Sequence, residues 1–320
     1  VDLIGQHAGT FPDPVGDSKG LQAGLEIASR VESAASARPC HVERIHVKRA
    51  FVIGHPIAHS RSPLIHGHWI ERYRVDGSYE AIDVAPGDLP AFFERLKAGE
   101  FVGGNVTIPH KEQVFALVDA LDPLAEEIGA VNTLVLQGAA GVRGFNTDYM
   151  GFLGNLDQHA PGWDQRLDEV VVLGAGGAAR AILVALKSRN AGKIHLLNRT
   201  VGKAEDLALE YGGRIACAGL GEFAARAGNA GLIVNTSSVG MKGTSFEGVD
   251  LSVVPKAAVV TDIVYVPLVT PLLAEAQRLG LRTVDGLGML LHQAVPGFEA
   301  WFGVKPDVTP ELRALVEATL

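Results

Sequence analysis

From Arg49 onward, apolar and polar positions alternate in a regular way. Short apolar runs such as "RAFVIG", "YEAIDV", "GGNVTI" and "AVNTLVLQ" read as strands. Between and after them, "SPLIHGHWIERYRV", "LPAFFERLKAG", "KEQVFALVDAL" and "TDYMGFLGNLDQHA" carry helical spacing. A second series opens at "DEVVVLG" and continues through "ARAILVALKSRN", "KIHLLNR", "KAEDLALEYG", "GLIVNTS", "AVVTDIVY", "PLLAEAQRLG" and "LRTVDG". A helical stretch then runs from Met289 to Phe302, and another closes the chain. Strands alternating with helices predict an α/β fold of parallel sheets covered on both faces.

Residues 1–46 break this pattern. "GQHAGTFPDPVGDSKG" is rich in turn formers, and "LQAGLEIASRVESAASA" supports one weak helix. With neither a charged n-region nor an apolar h-region, the segment does not read as a signal peptide, and a poorly ordered extension is expected.

Composition narrows the function classes. The chain has 320 residues, 47% of them hydrophobic, enough for two domains rather than one. A net charge of −8 with no basic stripe argues against nucleic acid. Its two cysteines, Cys40 and Cys217, are far apart and form no CxxC, which favours a reducing, cytoplasmic setting. No run approaches the roughly 20 apolar residues of a membrane span.

In "VVVLGAGGAAR", Gly174, Gly176 and Gly177, with Ala175 and Ala178 beside them, sit between an apolar strand and a helix. That is the context a dinucleotide loop needs: a tight turn, close backbone approach, and pyrophosphate on a helix N-terminus. An ordinary glycine-rich turn is the plainer alternative. The next strand ends in Asn198, Arg199 and Thr200, 24 to 26 residues past Gly174, with Lys203 close by. An acid reading a free ribose is missing there. A guanidinium and an ammonium suit a 2′-phosphate, so NADP is expected over NAD; solvated helix-start charges are the alternative.

"GHPIAHSRSPLIH" sets Ser60 and Ser62 around a helix start, with Ser62 as N-cap and Pro63 at the first helical position. Capping needs only one serine; two hydroxyls at a helix N-terminus make a carboxylate site. In "NVTIPHK", Asn105 and Thr107 alternate with Val106 and Ile108, so one strand face is polar and the other packs. Pro109 ends that strand, placing Lys111 at the sheet's C-terminal edge, where ligands bind in α/β folds. His66 and His68, two apart on a helix, point to different faces and do not suit a metal. His59 and His110 flank the site and read as wall residues.

"NVTIPHK", "GAVNTL", "GFNTDYMGF", "GAGGAAR", "NRT", "DIVYVPLVTPLL" and "DGLGMLLHQAV", taken in order with the serine motif, resemble the shikimate dehydrogenase family over residues 50–305. The resemblance implies a substrate domain, residues 47–149 completed by 289–320, and an NADP-binding Rossmann domain, residues 150–288, with a cleft between. It implies that Ser60 and Ser62 hold the substrate carboxylate, that Asn105, Thr107, Asn132 and Gln293 contact the ring hydroxyls, and that Tyr265 reaches the substrate. Lys111 and Asp148 match the family's catalytic pair. On the cofactor side it implies the loop Gly174–Ala178, residues Asn198–Lys203, Thr236 and Ser237, with Ile263, Gly286 and Met289 near the nicotinamide.

The chemistry suits these residue types. Hydride reduction of a ketone leaves an alkoxide, which needs a proton or a cation beside it. Lys111 can supply both, and Asp148 can orient the ammonium. Attraction between the two favours their charged forms, and burial opposes them.

Two positions depart from the family pattern. Tyr149 follows the "NTD" aspartate where glycine is usual, and is expected to bring bulk and a hydroxyl to Asp148. His55 stands where asparagine is common. The expected reaction is NADP-dependent reduction of 3-dehydroshikimate to shikimate in aromatic amino-acid biosynthesis, by a monomer or homodimer. The alternatives are a quinate/shikimate or aminoshikimate dehydrogenase, a methylenetetrahydrofolate dehydrogenase, and a metabolite-sensing binding protein. The serine pair argues against the folate enzyme, and a sensor would not need both Lys111 and Asp148.

Overall fold

The computed structural model describes residues 47–320. The expected N-terminal extension, with Cys40, lies outside the described residues. Strands β1 (Lys48–Gly54), β2 (Gly77–Asp83), β3 (Gly103–Val106), β4 (Ala120–Leu121), β5 (Thr133–Leu136) and β6 (Val142–Phe145) form one sheet in the order β2-β1-β3-β5-β6-β4. Helices α1 (Ser62–Arg72), α2 (Leu89–Lys97), α3 (Lys111–Phe115), α4 (Pro123–Ile128) and α5 (Asp148–His159) alternate with these strands.

Expected as parallel, this sheet is mixed: β5 runs antiparallel to both β3 and β6. Only a short turn, closed by Gln137 N–H to Gly141 O at 2.8 Å, joins β5 to β6. A parallel crossover needs a dozen residues or more, so the pair must be a hairpin. The long helix read in "KEQVFALVDAL" stops at Phe115. Asp119 then pairs with the β6 edge, accepting from Val142 N at 2.8 Å and from Lys97 Nζ at 2.9 Å. Tertiary pairing overrides local helix propensity here.

The second sheet is parallel throughout. It contains β7 (Glu169–Leu173), β8 (Lys193–Leu197), β9 (Ile215–Ala218) and β10 (Leu232–Asn235). After the short strand β11 (Val239–Lys242) come β12 (Val259–Asp262) and β13 (Arg282–Val284). The order β13-β12-β10-β7-β8-β9 is the doubly wound Rossmann arrangement, with its switch point between β7 and β10. Val170–Leu173 and Leu232–Asn235 are buried on both faces, which is why these strands are continuous apolar runs. Helices α6 (Gly177–Ser188), α7 (Val201–Tyr211), α8 (Phe223–Ala227) and α9 (Pro271–Arg278) cover the sheet.

The closing helices α10 (Leu287–Phe302) and α11 (Pro310–Glu317) return to the first sheet. Leu291, Phe298, Trp301, Leu312 and Val316 share a core with Ala50, Ile65 and Trp69. Trp301 Nε1 donates to Leu134 O at 2.8 Å. Helix α10 also lies against α5 at a distance that excludes side chains. A Cβ on Gly151 would stand 2.6 Å from Met289 O, and one on Gly288 would stand 1.8 Å from Asn155 Oδ1. The α5–α10 pair is therefore a rigid spine at the junction of the two sheets.

His66, on the buried face of α1, stacks on Tyr79 with ring centroids 4.0 Å apart. Neither ring nitrogen has a hydrogen-bond partner among the described residues. Burial pushes its pKa down to about 3, with a smaller opposing pull from Asn105. An unfolded histidine titrates near 6.5, so the unfolded chain takes up a proton first as pH falls, and folded-state stability declines from about pH 6.5 downward. The expected loss from this residue between pH 6.5 and 5 is about 2 kcal/mol. His292, lowered to about 4 by burial and then by His159, adds in the same direction. Urea unfolding at pH 7.5 and 5.0 should show this dependence, and His66→Phe should lose its share of it. An equal pH dependence in that variant would contradict the assignment.

Candidate active site

A cavity of about 730 Å³ opens between the C-terminal ends of the two sheets. Every residue expected to bind substrate or catalyse lines it: Ser60, Ser62, Asn105, Thr107, Lys111, Asn132, Asp148, Tyr265 and Gln293. From the cofactor side it is lined by Gly177, Ala178, Thr236, Ser237, Ile263, Gly286 and Met289. Gly174, Ala175 and Gly176 belong to the adjoining loop. Asn198, Arg199, Thr200 and Lys203 lie beyond this cavity, at the end of β8 and the start of α7.

Chain stops bring Lys111 and Asp148 together. β3 ends at Val106, Pro109 turns the chain, and α3 begins at Lys111. β6 ends at Phe145 and α5 begins at Asp148. Lys111 Nζ donates to Asp148 Oδ2 at 2.7 Å, and Asn132 Nδ2 donates to Asp148 Oδ1 at 2.9 Å. Each carboxylate oxygen is thus held by one donor. Asn132 is fixed in turn, its Oδ1 accepting from Thr147 N at 2.8 Å and Thr133 Oγ1 at 2.9 Å. The lysine keeps donor capacity for a third party, since an ammonium carries three N–H groups. The pair is partly screened from water, with side-chain exposures of 31% for Lys111 and 18% for Asp148.

At the other end of the cavity, α1 starts one residue earlier than expected. Arg61 is its N-cap residue and makes no side-chain cap bond, while Ser62 opens the helix with Pro63 behind it. Ser60 Oγ accepts from Ser62 N at 3.3 Å. Arg61 also lines the cavity, and its guanidinium donates to Thr319 O. Together with two hydroxyls, this cation makes the end of the cavity suited to a carboxylate. Sequence reasoning passed over Arg61, although a basic residue between the two serines was a readable signal. It also passed over Tyr79, which lies outside every motif. Tyr79 OH donates to Asn105 Oδ1 at 2.6 Å, and Asn105 Nδ2 donates to Thr133 Oγ1 at 3.2 Å, so the amide orientation is set from behind. Tyr265 has its pKa raised by burial, with Arg61 acting weakly against this.

Two expectations fail here. Ile108 does not pack against the sheet; it is 74% exposed and stands on the cavity rim, because the strand ends two residues before it. Tyr149 does not line the cavity. Neighbouring helix residues point about 100° apart, so with Asp148 aimed at the cleft Tyr149 turns away. It packs on the core cluster beneath α6, where burial and then Asp122 raise its pKa.

The cofactor-side residues fit a dinucleotide. Gly174 has φ +107°, and a Cβ there would lie 2.9 Å from Ser237 Cβ and 3.0 Å from Thr236 Oγ1. A Cβ on Gly176 or Gly177 would meet nothing within 4 Å, leaving the backbone open to a ligand. Helix α6 has no side-chain cap and no acid in its first turn, so its free N–H groups can take a pyrophosphate. Arg199 and Lys203 are exposed and form no ion pair among the described residues.

Comparison with known proteins places these features in context. Family models match in three segments: shikimate dehydrogenase substrate binding domain over residues 52–134, shikimate/quinate 5-dehydrogenase over 159–289, and shikimate 5′-dehydrogenase C-terminal domain over 286–315. The NADP(+) shikimate dehydrogenase of Mesorhizobium japonicum is 55% identical over 273 residues, covering 85% of this chain and 97% of its own. The shikimate 5-dehydrogenase of Thermus thermophilus, solved with NADP(H) and shikimate, aligns at TM-score 0.74 and 36% identity, over 85% of this chain and 100% of its own. A quinate dehydrogenase from Corynebacterium glutamicum, solved with NAD, aligns at TM-score 0.78 and 29% identity, over 85% of this chain and 99% of its own.

Proposed function

The chain belongs to the shikimate dehydrogenase family, and from that premise we propose that it reversibly reduces 3-dehydroshikimate to shikimate with NADP. The observation that carries the reading is the Lys111–Asp148–Asn132 cluster in the wall of the cavity between the sheets. Residues 47–149 with 289–320 form the substrate half in this reading, and residues 150–288 the cofactor half.

NADP, when bound, would supply or accept the hydride; the Gly174–Ala178 loop, Thr236 and Ser237 would hold it, with Arg199 and Lys203 for its 2′-phosphate. Ser60, Ser62 and Arg61 bind the substrate carboxylate, and Asn105, Thr107, Asn132 and Gln293 take the ring hydroxyls. This anchors the ring at one end and leaves its reacting carbon beside Lys111. In the direction of reduction, the Lys111 ammonium hydrogen-bonds the ketone oxygen, stabilises the alkoxide charge and delivers a proton to it. In the direction of oxidation, neutral Lys111 takes the hydroxyl proton. Asp148 keeps Nζ aimed at that oxygen throughout, and Asn132 keeps Asp148 from rotating. Ile263, Gly286 and Met289 form the stretch of cavity wall that would receive the nicotinamide.

The cofactor assignment separates this reading from the NAD-using branch. Arg199 and Lys203 present two cations where an acid would read a ribose hydroxyl. Initial rates of shikimate oxidation should give a kcat/KM for NADP at least about tenfold above that for NAD, a difference of about 1.4 kcal/mol. Arg199→Ala should close most of that gap by weakening NADP alone. Quinate and aminoshikimate, run in parallel, should be poorer substrates than shikimate. A preference for NAD would overturn the cofactor assignment, and a preference for quinate the substrate assignment.

A further inference from the structure

We propose that Asp262, which is buried and does not itself line the cavity, is a positioning residue that locks the two turns carrying Thr236–Ser237 and Ile263–Tyr265 into one hydride-transfer floor. The inference rests on the proposed function and adds to it a residue outside the cavity lining.

Asp262 ends β12 and is 1% exposed. Its Oδ1 accepts from Asn235 Nδ2 at 2.8 Å and from Val264 N at 2.9 Å, and its Oδ2 accepts from Thr270 Oγ1 at 2.7 Å. Asn235 ends the neighbouring strand β10 and carries the network on. Its Oδ1 accepts from Ser237 N at 2.9 Å and Ser237 Oγ at 2.8 Å, and its Nδ2 also donates to Val239 O at 2.7 Å. One carboxylate therefore ties the turn after β10, the turn after β12 and the start of α9 together. The first two turns supply Thr236, Ser237, Ile263 and Tyr265 to the cavity.

The opposite side of the β12 turn is fixed by backbone. A Cβ on Gly286 would stand 2.4 Å from Ile263 O and 2.7 Å from Val264 O. The turn is thus held between the first residues of α10 and the Asp262 carboxylate.

A plain packing role accounts poorly for the residue type. The three donors to Asp262 are all neutral groups, and a buried carboxylate without a cation is costly. Burial accordingly pushes its pKa up, against the pull of Thr270, Val264 and Asn235. An asparagine would fill the same volume at less cost but cannot accept at both ends. Its NH2 would face either the Thr270 hydroxyl or the Val264 and Asn235 donors. Turned toward Thr270, that NH2 would reverse the bond, so that the hydroxyl accepts and must send its own proton elsewhere; only a carboxylate accepts from both turns at once.

The test compares Asp262→Asn, Thr270→Val and Thr270→Ser, reading kcat, KM for shikimate, thermal unfolding, and Kd for an adenosine bisphosphate fragment that occupies only the adenosine end of the cofactor site. Asp262→Asn should lower kcat by about thirtyfold or more while the fragment Kd stays within about twofold. Thr270→Val should lower kcat by about tenfold, and Thr270→Ser should restore it to within about twofold of the unchanged protein. A folded Asp262→Asn with unchanged kcat overturns the proposal, as does a fragment affinity that falls in step with kcat. Should Asp262→Asn not fold, the Thr270 pair decides: equal kcat in the valine and serine variants overturns it. A failure of the proposed function would appear instead in the unchanged protein, as no shikimate oxidation with NADP.

Discussion

Lys111→Ala should lower kcat for shikimate oxidation by about a thousandfold while the Kd for NADP stays within about twofold. The size follows from two losses that coincide in one side chain. Proton transfer by a positioned group contributes roughly a hundredfold to ten-thousandfold, and a cation beside the developing alkoxide contributes at the same oxygen. A thousandfold corresponds to about 4 kcal/mol of transition-state stabilisation. The change should fall on kcat rather than on cofactor binding, because Lys111 belongs to α3 of the first sheet while the glycine loop belongs to the second. Small primary amines added to Lys111→Ala should return part of the rate, since the truncation leaves room beside Asp148. Ordinary turnover in this variant would make Lys111 a surface residue that happens to meet an aspartate.

Asp148→Asn should cost about a hundredfold in kcat, with KM for shikimate changed far less. The substitution preserves shape but removes the acceptor that holds Nζ at 2.7 Å, and it places an amide NH2 toward either Lys111 or Asn132. The lysine then samples several orientations, and only a fraction of them reach the reacting oxygen. Because Asp148 acts through Lys111, combining the two substitutions should be no more damaging than Lys111→Ala alone. If the two effects multiplied, the pair would not be a unit, and Asp148 would need a separate role at the substrate.

Local patterns in the sequence carried most of this site. The stop at Pro109 put Lys111 at a strand end, the glycine loop followed an apolar strand, and the paired serines opened a helix. What pattern reading missed was set by contacts between distant segments. The β5–β6 hairpin and the two-residue β4 are too short for periodicity to register, and Asp119 draws the chain out of a helix by bonding to β6. Tyr149 adjoins Asp148 in sequence, which predicts a hydroxyl beside that carboxylate, yet helix geometry separates their directions. Alternation predicts a packed Ile108 only if the strand continues, and it stops at Val106. Tyr79 and Asp262 left no signal as site residues: their importance lies in what they hold in place, Asn105 in one case and two cofactor-side turns in the other.

The most direct test is the position of the reacting hydroxyl of shikimate in a crystal of the protein grown with shikimate and NADP. This oxygen should lie within hydrogen-bond distance of Lys111 Nζ, with Nζ still bonded to Asp148 and the substrate carboxylate on Ser60 and Ser62. A ring seated with its reacting hydroxyl on another group, and Lys111 turned toward solvent, would contradict it.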